Sequence, residues 1–451
     1  MNYYSTNHQV PSVTFKQALI RGQAPDRGLY MPEFVPTLPP GTIREFSKCS
    51  YPEIAFQIAW PFLQDVINEN DLRQIVEDAY NFDVPLEHVT DRKYVMRLDQ
   101  GPTASFKDFA ARMMGRLMHH FLKDEKKKLR ILTATSGDTG SAVANAFYGL
   151  ENIEVVILYP KSEVTDRQRK QMTTLGKNVR VLSLEAKFDD CQALVKQAFS
   201  DPDLDHLGLS SANSINIGRL IPQIVYYFYA YSRLSDPDHE EKAIISVPSG
   251  NFGDMMGGVL AVRMGLPVKK MIIATNENDE FPKYLYSGDY AKIEPSANCI
   301  SSAMNVGHPS NLARLVALYG GLMDEKGLIH KSADMESMRK DLFSVSITDA
   351  QTRQTIQTAF QLWNLLLEPH GAVGWAGLLE YLKLHPEDDH DGQLCFSLET
   401  AHPAKFPDEV KKLTGVEPLL PPSLEGIDDK KEFLSEIEND YQKFKEYLLL
   451  L

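Results

Sequence analysis

Positive charge is the minority sign in this chain: 47 lysines and arginines stand against 61 acidic residues, for a formal net charge of −14. A surface of that sign repels phosphate backbones and anionic headgroups, so neither nucleic acid nor a membrane surface is the expected partner. Cysteine is scarce too. Cys49, Cys191, Cys299 and Cys395 stand far apart, with no CxxC pair and no accompanying histidine spacing. That excludes a zinc site or a disulfide framework as the expectation, and it fits a reducing compartment. There is no GxGxxG fingerprint and no GK[ST] closing a glycine-rich loop, which removes the usual dinucleotide and nucleoside-triphosphate readings. No apolar run is long enough to span a bilayer, and the opening MNYYSTNHQV lacks the order of a signal peptide, so the cytosol is the expected location.

What is present is alternation. Hydrophobic content of 43% and charged content of 24% are ordinary for a globular chain, and 451 residues suggest two or three domains. Residues 12–99 are mostly helical in period, with helices expected at 14–21, closed by Gly22, and at 51–64 and 70–80. Short apolar, β-branched runs at 130–135, 154–159 and 179–184 then alternate with helical stretches at 140–148, 164–175 and 188–199. An aromatic helix at 219–234 and an acidic link at 235–242 follow, and the aromatic stripe reads as core. Beyond the link come strands at 243–247 and 270–275, helices at 254–264, 311–318, 350–367 and 373–382, and a strand at 393–399. This is an α/β fold of two parallel-sheet units with a helical N-terminal extension, and a ligand belongs in the cleft between the units. The expected division is an N-terminal helical unit (1–99), a smaller α/β domain (131–234), a larger one (100–130 with 235–420) and a C-terminal helix (421–451). In that last segment Phe433, Ile437, Tyr441, Phe444 and Leu448 share one helical face over 429–448.

Five stretches carry chemistry. In GPTASFKDFAAR (101–112), Pro102, Thr103 and Ser105 make a helix entrance, which puts Lys107 in the first turn. The helix macrodipole disfavours a cation there, and Phe106 and Phe109 favour desolvation, so the amine is biased towards its neutral, carbonyl-reactive form. A surface lysine on an amphipathic helix makes the same local pattern. The strand-to-helix turn SGDTGSA (136–142) presents backbone N–H groups, with Ser136 and Thr139 as side-chain donors, and suits a carboxylate or phosphate; an ordinary capped turn reads the same way. SGNFGD (249–254) is a cradle of the size of one phosphate monoester, built from Gly250, Asn251, Phe252 and Gly253. SANSINIGR (211–219) collects hydroxyl, amide and guanidinium groups, and Arg219 suits a bidentate contact with a phosphate dianion. Thr400 ends the strand QLCFSLET, where α/β ligands bind, and a hydroxyl there can meet a pyridine nitrogen without supplying charge.

Taken in order, GPTASFKDFAAR, TATSGDTGSA, SANSINIGR, VPSGNFGD and ETAHPAKF, together with TFKQALIRGQAPDRGLYMP at 14–32, closely resemble threonine synthases of the long bacterial and fungal type. The resemblance implies the tryptophan synthase β-like fold called fold type II and a pyridoxal 5'-phosphate (PLP) cofactor carried on Lys107. It implies a phosphate cradle of Gly250, Asn251, Phe252, Gly253 and Asp254, with Thr400 facing the pyridine nitrogen. Ser136, Asp138 and Thr139 match the loop that receives the substrate carboxylate, and Ser214, Asn216 and Arg219 match the region facing the substrate's phosphate. The implied reaction turns O-phospho-L-homoserine and water into L-threonine and phosphate, in a monomer or weak homodimer. Many relatives of the wider fold carry Asn where this turn and the long-type threonine synthases it resembles have Asp, here Asp138, and an anion beside a substrate carboxylate would repel it unless paired or protonated.

Overall fold

The parallel strands form because their sequences leave no polar face. Ile153–Pro160 reads IEVVILYP and Ala243–Pro248 reads AIISVP, and both are almost wholly buried, as strands covered on two sides must be. In the computed structural model, which describes residues 1–39, 41–123, 128–236 and 241–451, these strands belong to two sheets. The smaller has five strands in the order Ser435–Glu436, Val179–Leu184, Ile153–Pro160, Leu129–Ala134 and Leu209–Ser210, every neighbouring pair parallel. The larger has six, Leu342–Ser346, Val268–Thr275, Ala243–Pro248, Cys395–Glu399, Lys93–Arg97 and Leu86–Thr90, parallel except for the last pair. Part of the acidic link expected at 235–242 lies outside the described residues.

Two expectations need correction. Residues 86–97 are not helical but supply two strands of the large sheet, so the N-terminal stretch is woven into that sheet rather than standing apart. Their alternation is weak because Leu86–Thr90 is an edge strand only half covered. The second concerns the C-terminus. Only Tyr441–Leu450 is helical there, capped by the Asp440 carboxylate, which accepts from Lys443 N–H. Upstream of it the chain is extended enough to add Ser435–Glu436 to the edge of the small sheet, and Phe433 is half exposed. Phe444 and Leu448 still bury, sealing the outer face of the small sheet with Leu132, Val156 and Leu182.

The aromatic helix Leu220–Leu234 is core, with Tyr226, Tyr227 and Phe228 fully buried. Phe109 of the Lys107 helix meets Tyr226 edge-on at 5.5 Å. Helix Gly253–Arg263 crosses it at Gly257, where a Cβ would lie 2.8 Å from Gln223 Cβ and 2.9 Å from its backbone carbon. Backbone cannot yield as a side-chain tip can, so Gly257→Ala is expected to cost about 1–3 kcal/mol by overpacking. A lowered urea midpoint at unchanged slope is the readout.

Candidate active site

Lys107 is the first residue of helix Lys107–Leu122, but the entrance is not built as the hydroxyls suggest. Thr103 caps nothing; its N–H and hydroxyl both donate to the Asp108 carboxylate, at 2.8 and 2.6 Å. The turn is closed by Ala104 in the left-handed region at φ +53°, a conformation that costs a non-glycine residue about 1 kcal/mol or more and marks an over-determined loop. That loop is laced to the end of strand Cys395–Glu399. Phe106 N–H donates to Thr400 O at 2.9 Å, His402 N–H donates to Ala104 O at 3.0 Å, and Ser105 bridges Ala401. Lys107 and Thr400 are therefore neighbours by construction.

The ε-amine of Lys107 sits 5.0 Å from the Phe106 ring centroid. Its pKa is lowered, first by burial; Lys405 and Arg219 act in the same direction, and Asp138 and Glu368 oppose it. The dipole argument pointed the right way, although desolvation is the larger cause.

Strand Ala243–Pro248 runs into the cradle, and helix Gly253–Arg263 leaves it, so unpaired helix N–H groups edge the turn. Gly250 admits nothing larger, since a Cβ would fall 2.7 Å from Met304 Cα. Phe252 holds the left-handed turn at φ +63° while its ring packs edge-on against Phe281 at 5.0 Å. Asn251 is braced on three sides: Oδ1 accepts from Ser310 N–H at 2.6 Å, Nδ2 donates to Ser214 Oγ at 2.6 Å, and its carbonyl accepts from Asn311 Nδ2 at 2.8 Å. Asp254 faces elsewhere. Its Oδ1 accepts from Tyr226 and Tyr227 hydroxyls at 2.5 and 2.7 Å, and burial raises its pKa to about 6 despite those bonds and nearby Lys107. The carboxyl braces the cradle helix through the two tyrosines, while the backbone N–H of Asp254 belongs to the first turn that edges the cradle.

In the 211–219 loop the residues divide. Asn216 is fully buried, with both amide hydrogens donated to Leu19 and Ser211 carbonyls and its Oδ1 accepting from Gly218 N–H. With both amide hydrogens engaged, its side chain shapes the loop. Arg219 is 3% exposed; Nη1 donates to Ala212 O at 3.0 Å and Nε has no partner. Burial pulls its pKa down to about 10, and no carboxylate lies within salt-bridge distance among the described residues. Arg314, which sequence reasoning missed, is wholly buried and fastens Ser214 O, Ile215 O and Tyr30 O, tying the N-terminal extension to this loop.

The SGDTG turn needs Gly137, whose φ is +129° and whose Cβ would meet Gln168 Cδ at 2.4 Å. Thr135 Oγ1 accepts from Gly137 and Gly140 N–H groups, which leaves Ser136 and Thr139 half-buried at the helix start. Asp138 Oδ1 lies 2.5 Å from Lys405 Nζ and accepts from Gln168 Nε2 at 2.9 Å. Burial alone would raise the Asp138 pKa, but Lys405 and then Lys107 hold it well below the usual carboxylate range.

Joined to the end of strand Cys395–Glu399, where Glu368 N–H donates to Glu399 Oε1 at 2.9 Å, is a second acidic group that the sequence did not announce. Glu368, capping helix Pro369–Leu384, accepts from His370 and Gly371 N–H groups and from His370 Nδ1 at 2.5 Å. His370 Nε2 accepts from Ala303 N–H at 3.0 Å, so the imidazole proton resides on Nδ1. Glu399 is fully buried, and burial together with Glu368 pushes its pKa well up.

Comparison with known proteins places this arrangement in a class. Residues 84–391 match the family described as "Pyridoxal-phosphate dependent enzyme", and the chain is a PLP-dependent enzyme of fold type II. Residues 2–80 match "Threonine synthase N terminus" and residues 372–448 match "Threonine synthase, C-terminal". A threonine synthase of Haemophilus influenzae is 39% identical over 450 residues, covering 100% of both chains. A PLP-bound threonine synthase structure from Brucella melitensis superposes with a TM-score of 0.91 at 36% identity, covering 99% of this chain and 98% of its own. The Escherichia coli threonine synthase structure gives 0.89 at 36% identity over 100% of both. The chain belongs to the threonine synthase family. Its residues fit the cofactor, with an amine biased neutral, a phosphate-sized glycine turn at a helix N-terminus, and the Thr400 hydroxyl at a strand's carboxyl end.

Proposed function

We propose that the chain converts O-phospho-L-homoserine and water into L-threonine and phosphate by γ-elimination followed by β-addition, with Lys107 as its proton carrier. Bound PLP supplies the electron sink that makes carbanions next to the substrate nitrogen accessible. Lys107 would hold the cofactor, remove the α-proton and move protons at Cβ and Cγ, a role that its depressed basicity favours. The Gly250–Gly253 turn grips the cofactor phosphate, and Thr400 donates to or accepts from the ring nitrogen without fixing a charge there. The Ser136–Thr139 turn takes the substrate carboxylate on helix N–H groups. Ser214 and Arg219 receive the phosphate that leaves Cγ, and water then adds at Cβ.

The observation that carries this reading is Arg219, a buried guanidinium with an unpartnered Nε, near enough to Lys107 to lower the basicity of its amine. A dehydratase of the same fold acts on substrates without a phosphate and has no use for a buried cation there. Incubating the holoenzyme with O-phosphohomoserine is expected to release phosphate and threonine in equal amounts. Phosphate with 2-oxobutanoate in place of threonine would move the chain to a deaminating lyase. We also place the protein in the cytoplasm, as a monomer or weak homodimer without nucleic-acid or membrane partners; no helix among the described residues is long and apolar enough to cross a membrane.

A further inference from the structure

Lys405 is a fully enclosed cation near the site, at 0% exposure. It comes from the turn after strand Cys395–Glu399, in the larger unit, and reaches Asp138 at the head of helix Asp138–Phe147, in the smaller one. Its second bond, at 2.9 Å, goes to Thr103 O in the loop that carries Lys107, and that same carbonyl accepts from Gln171 Nε2 at 3.0 Å. Three pieces of the site, the SGDTG turn, the lysine loop and the strand end, thus meet at one ammonium. Asp138 has the opposite problem. It occupies the turn to which the functional reading assigns the substrate carboxylate, and as a bare anion it would repel that group and raise the basicity of Lys107.

We propose that Lys405 is a positioning residue of the active site: it cancels the charge of Asp138, so that the turn receiving the substrate carboxylate is a neutral hydrogen-bonding wall and Lys107 faces no uncompensated anion. The pair does with two charges what a single neutral amide would do. The groups acting on Lys107 are Asp138, Lys405, Arg219, Glu368 and Asp254; of these, only Asp138 and Lys405 are joined to each other. Removing either one therefore changes the field at Lys107 in a direction fixed by which partner is lost, whereas removing both restores the balance.

The inference about substrate rests on the proposed reaction; the inference about Lys107 does not. The first measurement uses the apoenzyme: acetic anhydride labelling of Lys107 against pH, read by peptide mass spectrometry, in wild type, Lys405→Gln, Asp138→Asn and the double variant. Lys405→Gln is expected to move the Lys107 profile up by about one pH unit and Asp138→Asn to move it down by a similar amount, with the double variant returning towards wild type. The second uses the holoenzyme, where Lys405→Gln is expected to raise KM for O-phosphohomoserine about tenfold or more, and the double variant to recover most of that loss. Should a single variant not fold, the double variant decides alone: a displaced Lys107 profile, or a KM no better than about tenfold above wild type, overturns the proposal. Unmoved profiles in both single variants overturn it as well, leaving Lys405 a packing residue. If the profiles shift as expected while the holoenzyme ignores O-phosphohomoserine, the proposed reaction fails and the role of the pair stands.

Discussion

Lys107→Ala is expected to abolish turnover, lowering kcat by at least about 10⁴, because in the proposed mechanism one side chain both holds the cofactor and carries the proton transfers. The variant is expected to fold. Lys107 makes no hydrogen bond among the described residues, and replacing a desolvated amine removes a burial cost instead of a contact. Wild type incubated with PLP should show the visible absorbance band of a lysine-held cofactor, and the variant should lack it while keeping its far-ultraviolet dichroism. The pH dependence has a definite sign. The amine works as a base only when neutral, and its pKa is lowered by burial, with Lys405 and Arg219 adding to the effect. The acid limb of kcat should accordingly lie below the ordinary lysine range of about 10.4, with activity gained as pH rises through it. A limb at the ordinary lysine value would mean that the amine is solvated and would remove the electrostatic account of this site.

Much of this was legible before any coordinates. The buried strands at 130–135, 154–159 and 179–184 appear within a residue or two, because a sheet covered on both faces leaves an unbroken apolar, β-branched run. Lys107, the Gly250–Gly253 turn and Thr400 stand out in the sequence because each falls at a strand or helix terminus, and the structure keeps all three at such ends. What stayed hidden depends on contacts between distant segments. Lys405 lies inside a motif already singled out, yet nothing local distinguishes a lysine that is fully buried against Asp138, 267 positions earlier, from one in solvent. Glu368 and His370 look like a helix start, which they are; their link to the site passes through Ala303 and Glu399. Asn216 shows the converse. Its place in a polar loop suggested a ligand contact, but Leu19 of the N-terminal extension takes its amide, and no periodicity announces a pairing across nearly two hundred residues.

Arg219→Met is expected to lower kcat/KM for O-phosphohomoserine by about 10²–10³, or ~3–4 kcal/mol, the scale of losing a buried charge-assisted contact to a dianion. The argument starts from an imbalance. A guanidinium carries five N–H donors, and buried ones are normally matched by carboxylates or a full set of carbonyls. Arg314 shows the satisfied case, with three carbonyls and the Asn311 amide oxygen as acceptors. Among the described residues Arg219 has Ala212 O alone, its Nε is unmatched, and burial brings its pKa down to about 10. Such a group costs stability in the empty protein and recovers it when an anion arrives. Arg219→Met should therefore leave the melting temperature of the holoenzyme unchanged or raise it, in contrast to most buried substitutions. Inorganic phosphate should stabilise wild type by mass action, by about 2.7 kcal/mol at a hundred times its dissociation constant, and the variant far less. Arg219→Lys restores the charge but not the planar fork, and should recover only part of kcat/KM. A variant that melts earlier, yet responds to phosphate as wild type does, would make Arg219 a structural cation and leave the leaving group to be received elsewhere.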